Sequence, residues 1–199
     1  MRSAVTTFSF LCTSFALAGT ASAQTQAFVF GGELADTYAS RSVSAAGDVN
    51  RDGYPDVLVG AEEDDAGGAQ AGSASVYSGK DGELLHRFLG EAPGDFFGNS
   101  VASAGDVNGD GYADIIVGAR FKGVNGFASG SAYVFSGRTG ALAFRLDGDS
   151  TGDLFGFSVA GVGDIDGDGF DDVLVGAWSD DDVAPGAGSA RVSPDGRRK

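Results

Sequence analysis

DVNRDGYPD at Asp48–Asp56, DVNGDGYAD at Asp106–Asp114 and DIDGDGFDD at Asp164–Asp172 are one nine-residue loop written three times, at a spacing of 58 residues. Positions 1, 3, 5 and 9 are Asp or Asn in each copy, position 6 is Gly and position 7 is aromatic. Alternate oxygen-bearing side chains around a sharp glycine turn converge on one point. That suits a hard divalent cation such as Ca2+, which takes ~6–8 oxygens in tolerant geometry. The expected ligands in the first loop are the side chains of Asp48, Asn50, Asp52 and Asp56 with the carbonyl of Tyr54. In the second they are Asp106, Asn108, Asp110 and Asp114 with the carbonyl of Tyr112. In the third they are Asp164, Asp166, Asp168 and Asp172 with the carbonyl of Phe170. Asp and Gly also favour metal-free turns, but such a turn has no need of oxygen at four fixed positions. The expectation is up to three Ca2+, one per loop, weakened at the first by the charge of Arg51 and strengthened at the third by Asp166.

An EF-hand opens the same way but needs a Glu at position 12 and flanking helices. Here position 12 is Val59, Val117 or Val175, within the apolar runs DVLVGA, DIIVGA and DVLVGA. Each loop is therefore expected to join two strands, with Asp56, Asp114 or Asp172 closing the site.

The period extends beyond the loop. GSASVYSG at Gly72–Gly79 returns as GSAYVFSG at Gly130–Gly137, and GDFFGNSVASAGD at Gly94–Asp106 as GDLFGFSVAGVGD at Gly152–Asp164. Short β-branched and aromatic runs bounded by Gly, Asp and Ser read as strands. In the second period they fall near Ser100–Ala104, Ala113–Ala119, Ser131–Phe135 and Ala141–Leu146. The fold class is all-β, with tandem four-stranded antiparallel units of a size that suits β-propeller blades; a β-solenoid would have shorter coils. The loop glycines Gly53, Gly111 and Gly169 supply a left-handed turn. Gly60, Gly118 and Gly176 allow close approach between sheets, with Phe97 and Phe155 as apolar plugs.

These motifs resemble those of FG-GAP repeat proteins, the family that includes the N-terminal β-propeller of integrin α chains. The Phe-Gly element is Phe97-Gly98 and Phe155-Gly156; the first repeat has Tyr38-Ala39 there, with one extra residue expected before its loop. The Gly-Ala element is Gly60-Ala61, Gly118-Ala119 and Gly176-Ala177, followed by Glu62, Arg120 and Trp178 in place of the usual Pro. The family's calcium motif is matched in all three loops. The resemblance implies a binding, adhesion or scaffolding role with a protein or carbohydrate partner at the cell surface. The other class of reading is a fragment of a propeller-bearing extracellular enzyme acting on polysaccharide or phospholipid; a third is a truncated product with no function of its own.

The repeats run approximately 33–91, 92–149 and 150–199. A closed ring takes ~4–8 blades, so three periods form an incomplete one. AFVFGG at Ala27–Gly32 resembles the last strand of a preceding blade, and the third repeat stops near its third strand. The expectation is a truncated or frameshifted propeller, missing blades from a longer chain, or a unit that assembles with other chains. Residues 1–23 read as a secretory signal: Arg2, an apolar stretch Phe8–Ala18, and Ala21-Ser22-Ala23 before the cut. Residues 24–199 would then be exported, extracellular or in the cell envelope, without membrane insertion. The only cysteine, Cys12, lies in the signal, leaving neither disulfide nor thiol nucleophile. The chain carries −15, and ten of its 28 acids sit at loop ligand positions. That balance argues against a nucleic-acid partner, which needs a basic face. No catalytic residue is assigned: the single histidine, His86, reads as a strand-packing position because its counterpart is Phe144. Trp178 reads as either blade packing or a binding aromatic, and Asp180-Asp181-Asp182 as a solvated loop.

Overall fold

In the computed structural model, which describes Phe28 and residues 40–193, the chain folds into antiparallel sheets. The first contains β1 (Ser42–Gly47), β2 (Asp56–Ala61), β3 (Ser73–Tyr77) and β4 (Leu84–Leu89) in sequential order. The second repeats it with β5 (Phe97–Gly105), β6 (Asp114–Ala119), β7 (Ser131–Phe135) and β8 (Leu142–Asp147). The third has β9 (Phe155–Gly163), β10 (Asp172–Ala177) and β11 (Ser189–Ser193) among the described residues. No described residue is helical, and the sheets are propeller-like blades that do not close a ring. The proposed signal, most of Ala27–Gly32 and the tail after Ser193 lie outside the described residues; the Phe28 ring packs against Gly82.

The strands form where expected, and the blade interfaces explain their pattern. Successive strand residues face opposite sides, so Leu58 and Val76 of the first blade point toward the second, which presents Val101, Ile115 and Val117. Ile116 and Val134 in turn meet Val173 and Val175 of the third. Phe97 and Phe155 are buried plugs that enter the preceding blade, each through a parallel bridge, to Gly72 and Gly130. Gly98 and Gly156, at φ 87° and 82°, turn the strand after each plug.

One expected feature is corrected. Ser40 takes φ 75°, the conformation of Gly98 at 58 residues' distance. Ser42 Oγ accepts the Val101 N–H, as Ser100 Oγ accepts that of Val159. The first repeat therefore keeps the common register up to its loop and contains no extra residue. The physical reason is that the interblade bonds demand equal spacing; the Gly position is held by Ser40, not by Ala39.

Candidate metal centres

Each loop is built by side-chain oxygens capturing nearby backbone amides. Asp106 Oδ1 accepts from Gly109 and Asp110 at 2.7 and 3.0 Å, and its Oδ2 from Gly111 at 2.8 Å. Asn108 Oδ1 accepts from Asp110, and Asp110 Oδ1 from Tyr112, both at 3.0 Å. The first loop repeats this through Asp48, Asn50 and Asp52, and the third through Asp164, Asp166 and Asp168. Position 6 is left-handed in all three, at φ 89°, 82° and 93°. These Asx-type bonds hold the oxygens of positions 1, 3 and 5 in one curl. A carboxylate has about four lone-pair sites, so they still leave room for a cation.

The ninth-position carboxylates are different: they open β2, β6 and β10 and are buried. Asp114 accepts from Val107 at 3.1 Å and from Gly137, in the β7–β8 turn, at 3.0 Å. Asp56 makes the same pair of bonds with Val49 and Gly79. Burial pushes the Asp114 carboxyl up to about 6, with Asp110 and Asp106 adding to the rise against the Gly137 amide. Burial likewise raises Asp56, against its two amide donors.

The third loop has the most concentrated negative charge. Oxygens of Asp164, Asp166 and Asp172 lie within 4.8 Å of one another. In the second loop Asn108 Nδ2 offers hydrogen bonds of 2.9 and 3.1 Å to the Asp114 carboxylate. Asp166 stands at that place in the third and has no proton to offer, and Asp172 Oδ1 is buried without a partner among the described residues. Three oxygens so close, with no donor between them, are a donor set that fits a hard cation. Among the described residues only Asp164, Asp166 and Asp172 of the predicted ligands converge in this way; Asp168 and the side chains of the first two loops do not join such a cluster, while the ninth carboxylates link each loop to its sheet.

Arg51 does not fold back onto its own loop. Its guanidinium lies 5.2 Å from the Tyr112 ring centre, and Arg138 lies at the same distance, so the aromatic of the second loop is flanked by two cations. The loops also touch through their backbones. Ala113 N donates to the Asp48 carbonyl at 3.4 Å, and Asp171 N to that of Asp106 at 3.2 Å. Only Asp171 adds a side-chain bond, accepting the Asp106 N–H at 2.8 Å. Asp171→Ala is expected to lower stability by about 1–2 kcal/mol. It should also speed exchange of the Asp106 amide; an unchanged melting midpoint and exchange rate would contradict that role.

Elsewhere the sequence reading missed a buried ion triad. Glu62 is fully buried and paired with Arg41 of its own blade and with Arg120 across the first blade junction. The available signal was an acid and a base at equivalent positions of adjacent repeats. His86 is half-buried, and its Nε2 lies 2.6 Å from the Gly137 carbonyl of the second blade, so it joins blades as well as packing in its strand. Asp180 corrects the expected solvated run: it is buried beside Ser189 and Arg191, while Asp181 and Asp182 are exposed. A carboxylate with a hydroxyl and a guanidinium to bind can leave water. Trp178 is exposed and stacks on Phe157, with ring centres 5.3 Å apart.

The FG-GAP repeat profile matches residues 40–77 and 97–135. The chain is similar to integrin alpha pat-2 of Caenorhabditis briggsae, 35% identical over 164 residues, covering 70% of this chain and 13% of that protein. Integrin alpha-3 of Cricetulus griseus is 36% identical over 158 residues, covering 70% and 14%. Integrin alpha-6 of Gallus gallus is 35% identical over 142 residues, covering 67% and 13%. The chain therefore spans about 13–14% of the length of these relatives.

Proposed function

This chain is built of FG-GAP repeats like those of integrin α chains, and on that premise we propose that it is an exported, calcium-stabilised binding module with an adhesive or scaffolding role. The observation that carries the metal reading is the third loop, where three carboxylates converge with no donor between them. Ca2+ there would take oxygens of Asp164, Asp166, Asp168 and Asp172 and the carbonyl of Phe170; the first and second loops would hold an ion through the equivalent residues. The ion's work is structural. It offsets charge that burial and crowding make costly, and through the ninth aspartate it ties the loop to the edge of a buried strand.

The partner is a protein or carbohydrate at the cell surface, met through the blade surface and not through an acid–base site. Outside the loops, Asp64 is paired with Arg87, Asp95 with Lys122 and Asp180 with Arg191. Those pairings leave these buried acids to structure, and we assign no catalytic group.

Calorimetric titration of chelator-treated chain with Ca2+ tests the metal reading. Heat should be released or absorbed, and tenfold excess over the dissociation constant should stabilise the fold by about 1.4 kcal/mol per site. Asp166→Ala should weaken the third site selectively. Mg2+, which demands a strict octahedron, should substitute poorly. Absence of both heat and a melting shift would defeat the proposal.

A further inference from the structure

The loop face of the first two blades carries a row of cations laid on tyrosines. Lys80 lies 5.8 Å from the Tyr54 ring centre, and Arg138 lies 5.2 Å from that of Tyr112. Lys80 and Arg138 hold the same place in the β3–β4 and β7–β8 turns, 58 residues apart. Arg51 reaches across from the first loop to the same Tyr112 ring, also at 5.2 Å. All three cations are exposed, and none forms an ion pair among the described residues. The other described arginines each hold a carboxylate, as Arg87 holds Asp64 and Arg120 holds Glu62. In a chain of net charge −15, guanidinium groups left without an ion pair are the exception.

The backbone marks Arg51 independently. It takes φ 58°, in the left-handed region. The equivalent residues of the other two loops are Gly109 and Gly167, at φ 74° and 78°. Glycine adopts that conformation freely, whereas a long side chain there is strained, and strain of this kind collects at functional positions. Glycine also suffices for the junction: a Cβ at Gly109 would press on the Phe170 ring of the next loop. The Arg51 guanidinium instead lies over Gly111, beside Tyr112. Packing alone therefore has no need of arginine here.

We propose that this row binds a sulfated polysaccharide, with the Arg51 and Arg138 guanidinium groups taking sulfate oxygens and Lys80 a further anionic group one blade away. A guanidinium binds an oxyanion through paired N–H donors. A polymer whose charges recur at regular intervals matches cations that recur with the blade. Carboxylates are themselves Ca2+ ligands, so an acidic peptide would compete with the adjacent loops for their ion. The inference deepens the binding role proposed above and rests on its metal reading at one point. Asp48, Asp52, Asp106 and Asp110 share these two loops, and unless Ca2+ offsets their charge they repel a polyanion.

Titrating immobilised heparin with the full chain, in ~1 mM Ca2+ and in chelator, tests this. Heparin should bind in Ca2+ and at least about tenfold more weakly in chelator, the loss of about one charge-assisted contact. Desulfated heparin and polyglutamate should also bind at least about tenfold more weakly. Arg51→Gly supplies the residue that the other loops use, so it should keep the fold and the Ca2+ heat. It should nevertheless lose about tenfold in heparin affinity and lower the salt slope by about one. Arg138→Gln should behave likewise, with Arg138→Lys intermediate because it keeps the charge without the paired donors. Ca2+ heat without heparin binding overturns this proposal alone. So does Arg51→Gly binding heparin like the wild type, or polyglutamate or desulfated heparin binding as tightly as heparin. Absence of Ca2+ heat defeats the metal reading; heparin binding that then persists in chelator and is lost in Arg51→Gly upholds the arginine site by itself, and no binding defeats both.

Discussion

Asp114→Ala is expected to destabilise the chain by about 3–5 kcal/mol, the scale of breaking a buried polar network. Asp114 is fully buried and its oxygens hold three segments together: the loop through Val107 and Asn108, β6 through its own backbone, and the β7–β8 turn through Gly137. Removing it strands two backbone donors, each left unsatisfied at about 1–3 kcal/mol. Asp114→Asn keeps one acceptor and removes the buried charge, so its loss in chelator should be smaller. Both variants should abolish cation binding by the second loop, because each lacks the closing carboxylate. Thermal melts with Ca2+ and with chelator distinguish these effects. If both variants melt like the wild type, or respond to Ca2+ as it does, the assignment of Asp114 is wrong.

Gly118→Val is expected to have the second large effect, loosening the third blade from the second at a cost above about 4 kcal/mol. A Cβ at 118 would overlap the carbonyl oxygen of Gly156 and come within 3.3 Å of Asn99 Oδ1. A backbone carbonyl cannot yield as a side chain can, and Gly156 is fixed beside the buried Phe155 plug. The control is Gly176→Val, the same change one period later. Among the described residues its Cβ meets Ser158 alone, most closely the hydroxyl, a group that can rotate away. Valine is otherwise favoured in strands, so the folded monomer should lose about 1 kcal/mol or less. Hydrogen exchange should show early opening of β9–β11 in the first variant and wild-type protection in the second. Equal effects at the two positions would refute the close-approach argument.

Much of the architecture is legible in the chain because its determinants are local. The Asx bonds of each loop span two to five residues, as between Asp110 and Asn108 or Gly111 and Asp106, and the bond from Val107 to Asp114 spans seven. Strand alternation is also read within six residues or fewer. The ligand pattern, strand order and repeat length therefore follow from neighbours along the sequence.

Contacts between blades are another matter. Glu62 with Arg120, Ser42 with Val101, and Asp106 with Asp171 are separated by 58, 59 and 65 residues. No local period reveals them, so the sequence makes Arg51 a burden on its own loop, whereas its side chain lies on Tyr112 of the next; Asp180 is a case within one blade, buried by Ser189 and Arg191 at 9 and 11 residues' distance, beyond the span of a turn. The first repeat's apparent extra residue arose similarly: without a Phe-Gly pair to align, only the interblade Ser42 bond fixes Ser40 in the glycine position. By itself the sequence determined three oxygen-lined turns joining strands in repeated sheets, since turn chemistry and pleat act over a few residues. Only the tertiary structure decided which carboxylates are buried and which glycine meets a carbonyl, since burial and close approach are properties of surfaces brought together across a whole repeat.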